Sequence, residues 1–470
     1  MADITAIRSG VSMTLGQQAA LTIKMALPAI LAQLSTILMF YIDGAMVGRL
    51  GANESASVGL MNSSLWLFWG VCSAATTGFS VQVAHRLGAN SPEQARRVVR
   101  QGITSSLIFA VVIAGIGLAI APALPRWLGG AEAICGDAST YFAVFAAALP
   151  LLTMNYLSSG VLRCAGNMKV PGALNVVMCL LDIVFNFFLI FSTRQMEILG
   201  TVITIPGAGL GVLGAAIGTA GAEAIVGLYL LYYMVRVEPE TRLRGHERES
   251  FRPCADVLRK ALKISAPMTL EHAVFCSAQI MITAIVAPLG IVAIAANAFA
   301  VTAESLCYMP GFGIGEAATT LVGQSHGAGR RDLVRRFSYL AMWLGVAFMS
   351  VAGILLYFCA PGMMSILTNV PAIHNLGVEV LRIEAWAEPL YAASIVVYGA
   401  FIGMGDTLVP AIMNFGSIWA VRIPLAALMA PTLGLQGVWI AMAIELSFRG
   451  LIFIMRLRLK LPRKRLASSS

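Results

Sequence analysis

Charge is what this sequence most lacks. Asp, Glu, Lys and Arg make up only 12% of its 470 residues, whereas hydrophobic residues make up 58%. A soluble protein of this length exposes far more charge, so the composition excludes an ordinary soluble domain. The five histidines form no HExxH pattern or other ligand pair, and no CxxC pair occurs, so we predict neither a metal site of that kind nor a disulfide framework. No P-loop ending in GKS or GKT is present, which excludes an ATP-driven pump within this chain.

Apolar runs recur along the whole chain instead. Each is long enough for the roughly 20 residues that a membrane-spanning helix needs. Many contain Gly or Pro, which spanning helices tolerate because neighbouring helices satisfy the freed backbone groups. We predict an all-α integral membrane protein with twelve transmembrane helices, at about residues 20–46, 57–82, 102–124, 138–161, 171–192, 210–235, 262–288, 293–323, 338–360, 377–401, 410–430 and 435–455.

The basic residues are unevenly distributed between alternate loops. The formal net charge is +9, and if the N-terminus is cytoplasmic, that side carries 23 Lys and Arg residues and the opposite side four. Cytoplasmic loops of membrane proteins are enriched in Lys and Arg. The bias therefore predicts a multi-pass protein of the plasma membrane with both termini cytoplasmic. It does not indicate a nucleic-acid surface. Separately, we expect membrane lipids around the chain and a monomeric state.

An internal repeat at an offset of 239 residues divides the chain into two halves. Gly166 and Gly405 obey this offset, and four prolines of the first half have a proline partner in the second. The proline pairs are Pro28/Pro267, Pro122/Pro361, Pro150/Pro389 and Pro171/Pro410. Six helices per repeat return the chain to the same side, so the two repeats are parallel. Transporters with such repeats bind substrate near the membrane midplane and expose it alternately to the two sides.

The repeat and the charge pattern predict the division of the chain. A polar stretch that includes EPETRLRGHERESFRP separates the two halves and marks a linker. The predicted segments are a cytoplasmic N-terminal segment at 1–19, an N-lobe of six helices at 20–235, a cytoplasmic linker at 236–260, a C-lobe of six helices at 261–456 and a basic cytoplasmic tail at 457–470.

Carboxylates inside the predicted helices require an explanation, because each costs about 2.5–3.5 kcal/mol on insertion scales. Five of them are not repeated, since at the offset of 239 residues they correspond to uncharged residues. The pairs are Asp43/Ile282, Asp182/Val421, Glu271/Ala32, Glu304/Leu65 and Glu316/Thr77. Repeated residues serve the shared scaffold, so the unmatched acids are candidates for cation coupling. A buried carboxylate can take a proton or bind Na⁺ together with other oxygens.

Three stretches resemble the multidrug and toxic-compound extrusion (MATE) family: ALPAILAQLSTILMFYIDGAMVGRLG, MPGFGIGEAATTLVGQSHGAGRRDLVRRF and GAFIGMGDTLVP. The resemblance runs from about Lys24 to Arg456 in the expected order. It implies a two-lobed MATE/MOP-like fold and a secondary antiporter that exports small organic, often cationic, drugs or toxic metabolites. Export would be in exchange for Na⁺ or H⁺, by alternating access between the lobes. It implies no enzymatic activity and no cofactor beyond the coupling ion.

The resemblance also implies roles for single residues. Asp43 matches the family's first-helix aspartate, and Glu271 matches the glutamate that many members use for coupling. Asp182, with Asn175 and Asn186 on the same face, matches a polar cluster in the fifth helix, although the order of aspartate and asparagine differs. The implied Na⁺ positions are Asp43 with Asp182, or Glu271.

The tenth helix departs from the family pattern, because Tyr391 stands where a partner acid is expected. Glu304 or Glu316, twelve residues apart on one helix face, is a candidate replacement. We expect Glu384 and Glu388 to be solvated at the membrane interface.

Other polar and aromatic residues receive weaker predictions. We expect Asp406 to cap a turn, and the charged residues Glu223, Arg422, Glu445 and Arg449 to form structural pairs. Packing is the alternative to ligand stacking for the aromatic candidates, which are Phe40, Tyr41, Tyr391, Trp66, Trp69 and Phe187.

Two alternatives remain. One is a lipid-linked oligosaccharide flippase of the same superfamily, which the acidic character of the intramembrane charges disfavours. The other is an intramembrane enzyme or an ion channel, although the spans contain no nucleophile–base constellation and no filter motif.

Overall fold

A computed structural model describes residues 4–198, 201–243 and 251–462 of the chain. Helices dominate it, as the long apolar runs predict. In the first half, the α-helices are α1 (Thr5–Arg8), α2 (Leu15–Gly48), α3 (Ala52–Gly88), α4 (Pro92–Ile120), α5 (Leu124–Trp127), α6 (Glu132–Ala165), α7 (Lys169–Leu189) and α8 (Gly211–Tyr232). A π-helical turn, Tyr233–Val237, continues α8.

The second half repeats this order with two additional interruptions. Its helices are α9 (Ala255–Val286), α10 (Ile291–Gly327), α11 (Arg331–Leu367), α12 (Pro371–Glu384), α13 (Glu388–Gly403), α14 (Leu408–Ser417) and α15 (Ile423–Lys460). A 3₁₀ turn, Ala287–Leu289, follows α9, and a π-helical turn, Ile418–Arg422, joins α14 to α15.

The described helices account for all twelve predicted spans. Ten helical stretches are long and apolar enough to cross a membrane, and the bent pair α12–α13 makes an eleventh. One of the ten, Leu408–Lys460, has 53 residues. At 1.5 Å per residue it would extend about 80 Å, far more than the roughly 30 Å hydrocarbon core of a bilayer. It is interrupted at Gly434, whose φ of 61° and ψ of −142° are not helical, so it comprises two spans.

The same helix pairings occur in both halves, which confirms the repeat. Helix α6 packs against α3, α4 and α8, and its counterpart α13 packs against α10, α11 and α15. The turn after each of these helices also has the same backbone. Gly166 and Gly405 adopt φ values of 104° and 73°, in the left-handed region that glycine enters at no steric cost. The two glycines therefore recur at the offset of the repeat because both repeats form the same turn at this place.

A β-hairpin lies between α7 and α8, where the sequence analysis gave no regular structure. Strand β1 (Ser192–Ile198) pairs antiparallel with β2 (Thr201–Ala208), and the second half has no hairpin at this position among the described residues. The segment Thr201 to Ile205 is rich in β-branched residues, which favour strands. The hairpin explains why the offset of the repeat changes after the fifth span, from 239 residues to the 226 residues that separate Gly211–Val212 from Gly437–Val438.

Two compact units divide the chain. One comprises Leu31–Cys276 and is called the N-unit; the other comprises Met1–Ile30 with Ser277–Ser470 and is called the C-unit, both counted over the described residues. The boundaries fall inside α2 and α9, which are the first helices of the two repeats. In the N-unit, the amide of Gly78 donates to Ser265 Oγ on α9 at 3.1 Å, and Gln82 Nε2 donates to the carbonyl of Val257 at 3.1 Å.

Many large apolar side chains remain exposed along the spans. Phe358 and Trp343, both on α11, are 72% and 62% exposed. Such side chains are costly in water but suit a hydrocarbon environment. The exposed apolar surface therefore agrees with lipid as the solvent of these helices.

Candidate functional site

The N-unit contains a buried polar cluster formed by α2, α7 and α8, which we call the Asp43 cluster (Asp43, Asp182, Asn186 and Thr219). Asn186 Nδ2 donates to Asp43 Oδ1 at 2.7 Å and to Asp182 Oδ1 at 3.1 Å. Thr219 Oγ1 donates to Asp43 Oδ2 at 3.4 Å. Asp182 and Asn186 lie one turn apart on α7 and are both fully buried, whereas Asp43 is partly exposed. The structure thus brings together three of the residues that the sequence analysis selected.

Two carboxylates share one amide in this cluster, and part of their hydrogen-bonding capacity is unused. Asp182 Oδ2 and Asn186 Oδ1 are buried and have no hydrogen-bond partner in the described part of the chain. Neither Asp43 nor Asp182 contacts a Lys or Arg among the described residues, so no ion pair neutralises the cluster there. Two like charges in a medium of low dielectric repel strongly. The arrangement therefore suits a proton or a small cation between the carboxylates.

Helix α8 approaches this cluster closely because it carries glycine at the contact. A Cβ on Gly218 would lie 2.0 Å from Asn186 Oδ1. Glu223, one turn after Thr219 on the same helix, is buried, and its Oε2 has no partner among the described residues. The expectation that Glu223 forms a structural ion pair is wrong, because no ion pair with Glu223 occurs among the described residues. This acid is instead one of the buried polar residues of the N-unit.

The remaining candidates of the N-unit lie around this cluster or away from it. Asn175 Nδ2 contacts Thr36 Oγ1 at 3.5 Å, so this asparagine links α7 to α2. Phe40 stacks on Trp69 with ring centroids 6.1 Å apart. Tyr41 is partly buried on α2. Glu271 is partly buried on α9, one turn after Pro267, and its coupling role stays a prediction.

A second acidic group lies inside the C-unit, which we call the triglutamate cluster (Glu304, Glu384 and Glu388). One carboxylate oxygen from each lies within 4.8 Å of those of the other two. Glu384 and Glu388 are fully buried, so the expectation that they are solvated at the membrane interface is wrong. The reason is the break in the tenth span: Glu384 ends α12, Glu388 begins α13, and the two helices are bent by 60°. Glu316 is partly buried three turns after Glu304 on α10 and does not belong to this cluster.

Next to these acids, Glu445 forms a buried ion-pair network with two arginines. Arg422 Nη2 lies 2.8 Å from Glu445 Oε2, and Arg449 Nε lies 2.8 Å from Glu445 Oε1. Ser417 Oγ also donates to Glu445. The expected structural pairing of Arg422, Glu445 and Arg449 is therefore correct. Tyr391 contacts this region, because the guanidinium of Arg449 lies 5.7 Å from its ring centroid, and Tyr391 also packs on Tyr308.

The repeat contained a signal for the two glutamates that the sequence analysis assigned to the interface. At the offset of 239 residues, Glu384 corresponds to Phe145 and Glu388 to Leu149. Both are buried in the apolar core of the N-unit. The comparison that selected Glu304 thus selects Glu384 and Glu388 as well.

Comparison with known proteins agrees with these features. Among curated proteins, the chain is 28% identical over 436 residues to a probable multidrug resistance protein NorM of Thermotoga maritima, covering 91% of this chain and 89% of the relative. It is 27% identical to a NorM protein of Brucella suis, covering 94% and 93%. It also matches an uncharacterized transporter, YisQ, of Bacillus subtilis at 23% identity, covering 88% and 89%.

Solved structures share the fold at lower identity. An outward-facing multidrug resistance transporter of the MATE family superposes with a TM-score of 0.86 at 21% identity, with 98% of both chains covered. The MATE transporter VcmN of Vibrio cholerae gives 0.85 at 18% identity, with 95% of this chain and 98% of that chain covered. The MatE family model matches twice, at residues 28–188 and 267–428, and its two starting points are separated by the 239-residue offset of the internal repeat. The chain therefore belongs to the MatE family.

Proposed function

We propose that the protein is a secondary active antiporter of the plasma membrane that exports small organic, often cationic, molecules in exchange for Na⁺ or H⁺. Transport would proceed by alternating access, in a monomer with both termini in the cytoplasm. Membership of the MatE family and the multidrug resistance names of its relatives support the transport class. The observation that supports cation coupling is the Asp43 cluster. In it, Asp43 and Asp182 both accept hydrogen bonds from Asn186, and neither has a basic partner among the described residues.

The coupling follows from the charge of this cluster. When both carboxylates are ionised, their repulsion is relieved by a cation that binds between them or by a proton on one of them. A cationic substrate competes for the same negative potential, so its release and the entry of the coupling cation are linked. One elementary charge moving through 100 mV contributes about 2.3 kcal/mol, which supports an accumulation ratio of several tens.

The test uses everted membrane vesicles, in which the cytoplasmic face is outside and export from the cytoplasm becomes uptake into the vesicle. It measures the uptake of a fluorescent organic cation, such as ethidium. Na⁺ and pH gradients are imposed separately, so the coupling ion is identified by the gradient that drives transport. We expect Asp43→Asn and Asp182→Asn each to reduce gradient-driven transport to the level of vesicles without the protein. The amide keeps the size of the side chain and removes the charge that the cation neutralises.

A matched control is Asp256→Asn, because Asp256 is an exposed residue at the start of α9 that pairs with Lys260. This variant should transport like the wild type. If neither gradient drives transport by the wild-type protein, the proposed antiport is wrong. If Asp43→Asn and Asp182→Asn transport normally while the wild type is gradient-driven, the assignment of the Asp43 cluster is wrong.

A further inference from the structure

A histidine of the N-unit, His272, lies deep inside a predicted membrane span. It is on α9, about ten residues after the cytoplasmic start of the predicted span 262–288, which places it about 15 Å into a hydrocarbon core of roughly 30 Å. The side chain is partly buried, and its ring nitrogens have no hydrogen-bond partner among the described residues. Ionisable side chains at this depth face the protein interior or a water-filled cavity and mark the pathway of a substrate or ion.

A glycine on α3 makes room for the imidazole ring. A Cβ on Gly70 would lie 2.6 Å from His272 Nδ1 and 2.8 Å from its Cγ. Two turns closer to the predicted cytoplasmic side, the amide of Gly78 donates to Ser265 Oγ at 3.1 Å, so the same two helices are joined below the ring. The ring is therefore held against the backbone of α3. Its Nε2 is farther from Gly70 than Nδ1 is.

An accessible aromatic surface continues from this glycine along α3. Asn62, Trp66 and Gly70 are spaced by four residues and therefore follow one face of the helix. Asn62 is exposed, and Trp66 is 48% exposed. The indole of Trp66 is supported from behind, because its ring centroid lies 5.6 Å from that of Phe40. A flat apolar surface and a hydrogen-bonding ring thus lie about one helical turn apart within the membrane span.

The internal repeat shows that packing does not require a histidine at this position. At the offset of 239 residues, His272 corresponds to Gln33, which is also partly buried, and Gly70 corresponds to Met309. The first repeat thus has a hydrogen-bonding side chain at the same place, but it has no glycine that would admit a ring beside it. The imidazole and the glycine occur as a matched pair in the contact between α3 and α9.

We propose that His272 is a substrate-binding residue that recognises a hydrogen-bonding group on a planar organic molecule stacked against Trp66. A neutral imidazole offers one donor and one acceptor, and an indole face attracts flat and cationic rings. The preferred substrates are therefore planar aromatic cations that carry amino, hydroxyl or carbonyl groups. A cation without such groups leaves the imidazole unsatisfied, which is how a hydrogen-bonding site discriminates between ligands. This inference rests on the proposed export of organic molecules and adds the basis on which substrates are chosen.

The experiment compares two organic cations in everted vesicles: ethidium, whose planar ring carries amino groups, and tetraphenylphosphonium, which has no N–H, O–H or carbonyl group. KM and the maximal rate of uptake are measured for each. We expect His272→Leu to raise the KM for ethidium about 10-fold, the factor that one lost hydrogen bond of ordinary net strength gives. The KM for tetraphenylphosphonium should not change. His272→Gln copies the residue of the first repeat, offers both a donor and an acceptor, and should keep the KM for ethidium close to that of the wild type.

A second variant displaces the ring without removing it. Gly70→Ala places a Cβ 2.6 Å from His272 Nδ1, so the imidazole has to move. We expect the same selective rise in the KM for ethidium as in His272→Leu. Gly59→Ala is the matched control, because Gly59 is on the same helix and a Cβ there meets nothing within 4 Å. It should transport both cations like the wild type, and uptake of tetraphenylphosphonium by Gly70→Ala shows that this variant is folded.

An effect of His272→Leu that is equal for both cations, whether absent or large, overturns the inference, because a hydrogen bond to the substrate affects ethidium alone. Ethidium binding to the purified full-length protein in detergent, followed by fluorescence anisotropy, separates this inference from the proposed function. Binding that is weakened by His272→Leu, without gradient-driven uptake by the wild type, supports the role of His272 and rejects the antiport. Gradient-driven uptake of ethidium that does not depend on His272 rejects this inference and leaves the antiport standing.

Discussion

At the scale of single residues, the two units differ in the charge that they bury at equivalent places. After the hairpin, the repeat continues at an offset of 226 residues, so Thr219 corresponds to Glu445 and Glu223 to Arg449. The N-unit therefore has acids and hydroxyls where the C-unit has a closed ion-pair network. The Asp43 cluster is held together by hydrogen bonds from the uncharged donors Asn186 and Thr219, without a Lys or Arg partner among the described residues.

Gly218 is predicted to be essential for the geometry of the Asp43 cluster. Gly218→Ala would place a Cβ 2.0 Å from Asn186 Oδ1, and Asn186 cannot move without losing its bonds to both carboxylates. We expect loss of gradient-driven efflux and a stability cost of about 1–3 kcal/mol. Gly221→Ala, on the same helix, meets nothing nearer than Phe185 at 3.9 Å and should be active. Normal transport by Gly218→Ala would show that Asn186 is dispensable.

Glu445 is predicted to be the residue on which the C-unit network depends. Glu445→Gln removes the carboxylate that pairs with both Arg422 and Arg449, and breaking a buried pair costs about 3–5 kcal/mol. We expect a large fall in melting temperature in detergent. Glu132→Gln removes the partner of Arg126 in a pair that is 65% and 78% exposed, and it should leave the melting temperature unchanged. Similar behaviour of the two variants would mean that solvent reaches the network.

At the scale of helices and turns, Asp406 illustrates how a loop fixes the end of a span. It lies between α13 and α14 and accepts hydrogen bonds from Arg456 and Lys460 of α15. Burial on its own would raise the pKa of the Asp406 carboxyl, but the hydrogen bonds and positive charges of Lys460 and Arg456 outweigh it and lower the pKa. The expected turn-capping role is therefore incomplete, since this aspartate also joins two spans.

The lowered pKa predicts a pH-dependent contribution to stability. A carboxyl whose pKa is depressed by folding stabilises the folded state above its unfolded pKa of about 3.9 and loses this effect as the pH falls through the folded value. Asp406→Asn should therefore cost about 1 kcal/mol at pH 7, a value reduced by partial solvent exposure. The difference in melting temperature from the wild type should shrink towards pH 3. A difference that stays constant with pH would exclude the ion pairs as its cause.

Hydropathy predicted the helices because an apolar run of about 20 residues forms few structures other than a membrane-spanning helix. All twelve predicted spans are present. It did not predict the break at residues 385–387, since Ala385, Trp386 and Ala387 are themselves apolar and fall inside the predicted span 377–401. Nor did it predict the shared amide of the Asp43 cluster. Asp43 and Asn186 are separated by 143 residues, and no local pattern reports a contact over that distance.

At the scale of the whole molecule, the excess of basic residues on one side fixes the expected orientation. Cys254 lies in the basic linker and is partly exposed, whereas Glu132 is exposed at the start of α6, on the opposite predicted side. In a chain with no other cysteine, Cys254 should react with a membrane-impermeant thiol reagent in everted vesicles only. A Glu132→Cys chain that also lacks Cys254 should react in right-side-out vesicles only. The reverse pattern would place both termini outside.

The positions where the chain passes from one unit to the other have a consequence for how such a protein can be assembled. Ala29 and Ile30 of α2 come from the first repeat but belong to the C-unit, where they lie against Gly313. Ser265 of α9 comes from the second repeat but belongs to the N-unit, where it is hydrogen-bonded to residues of α3. A polypeptide cut in the linker would thus yield two fragments that each lack a piece of their own core and carry a piece of the other's. We expect neither fragment to be stable alone and the two to associate when they are produced in the same membrane.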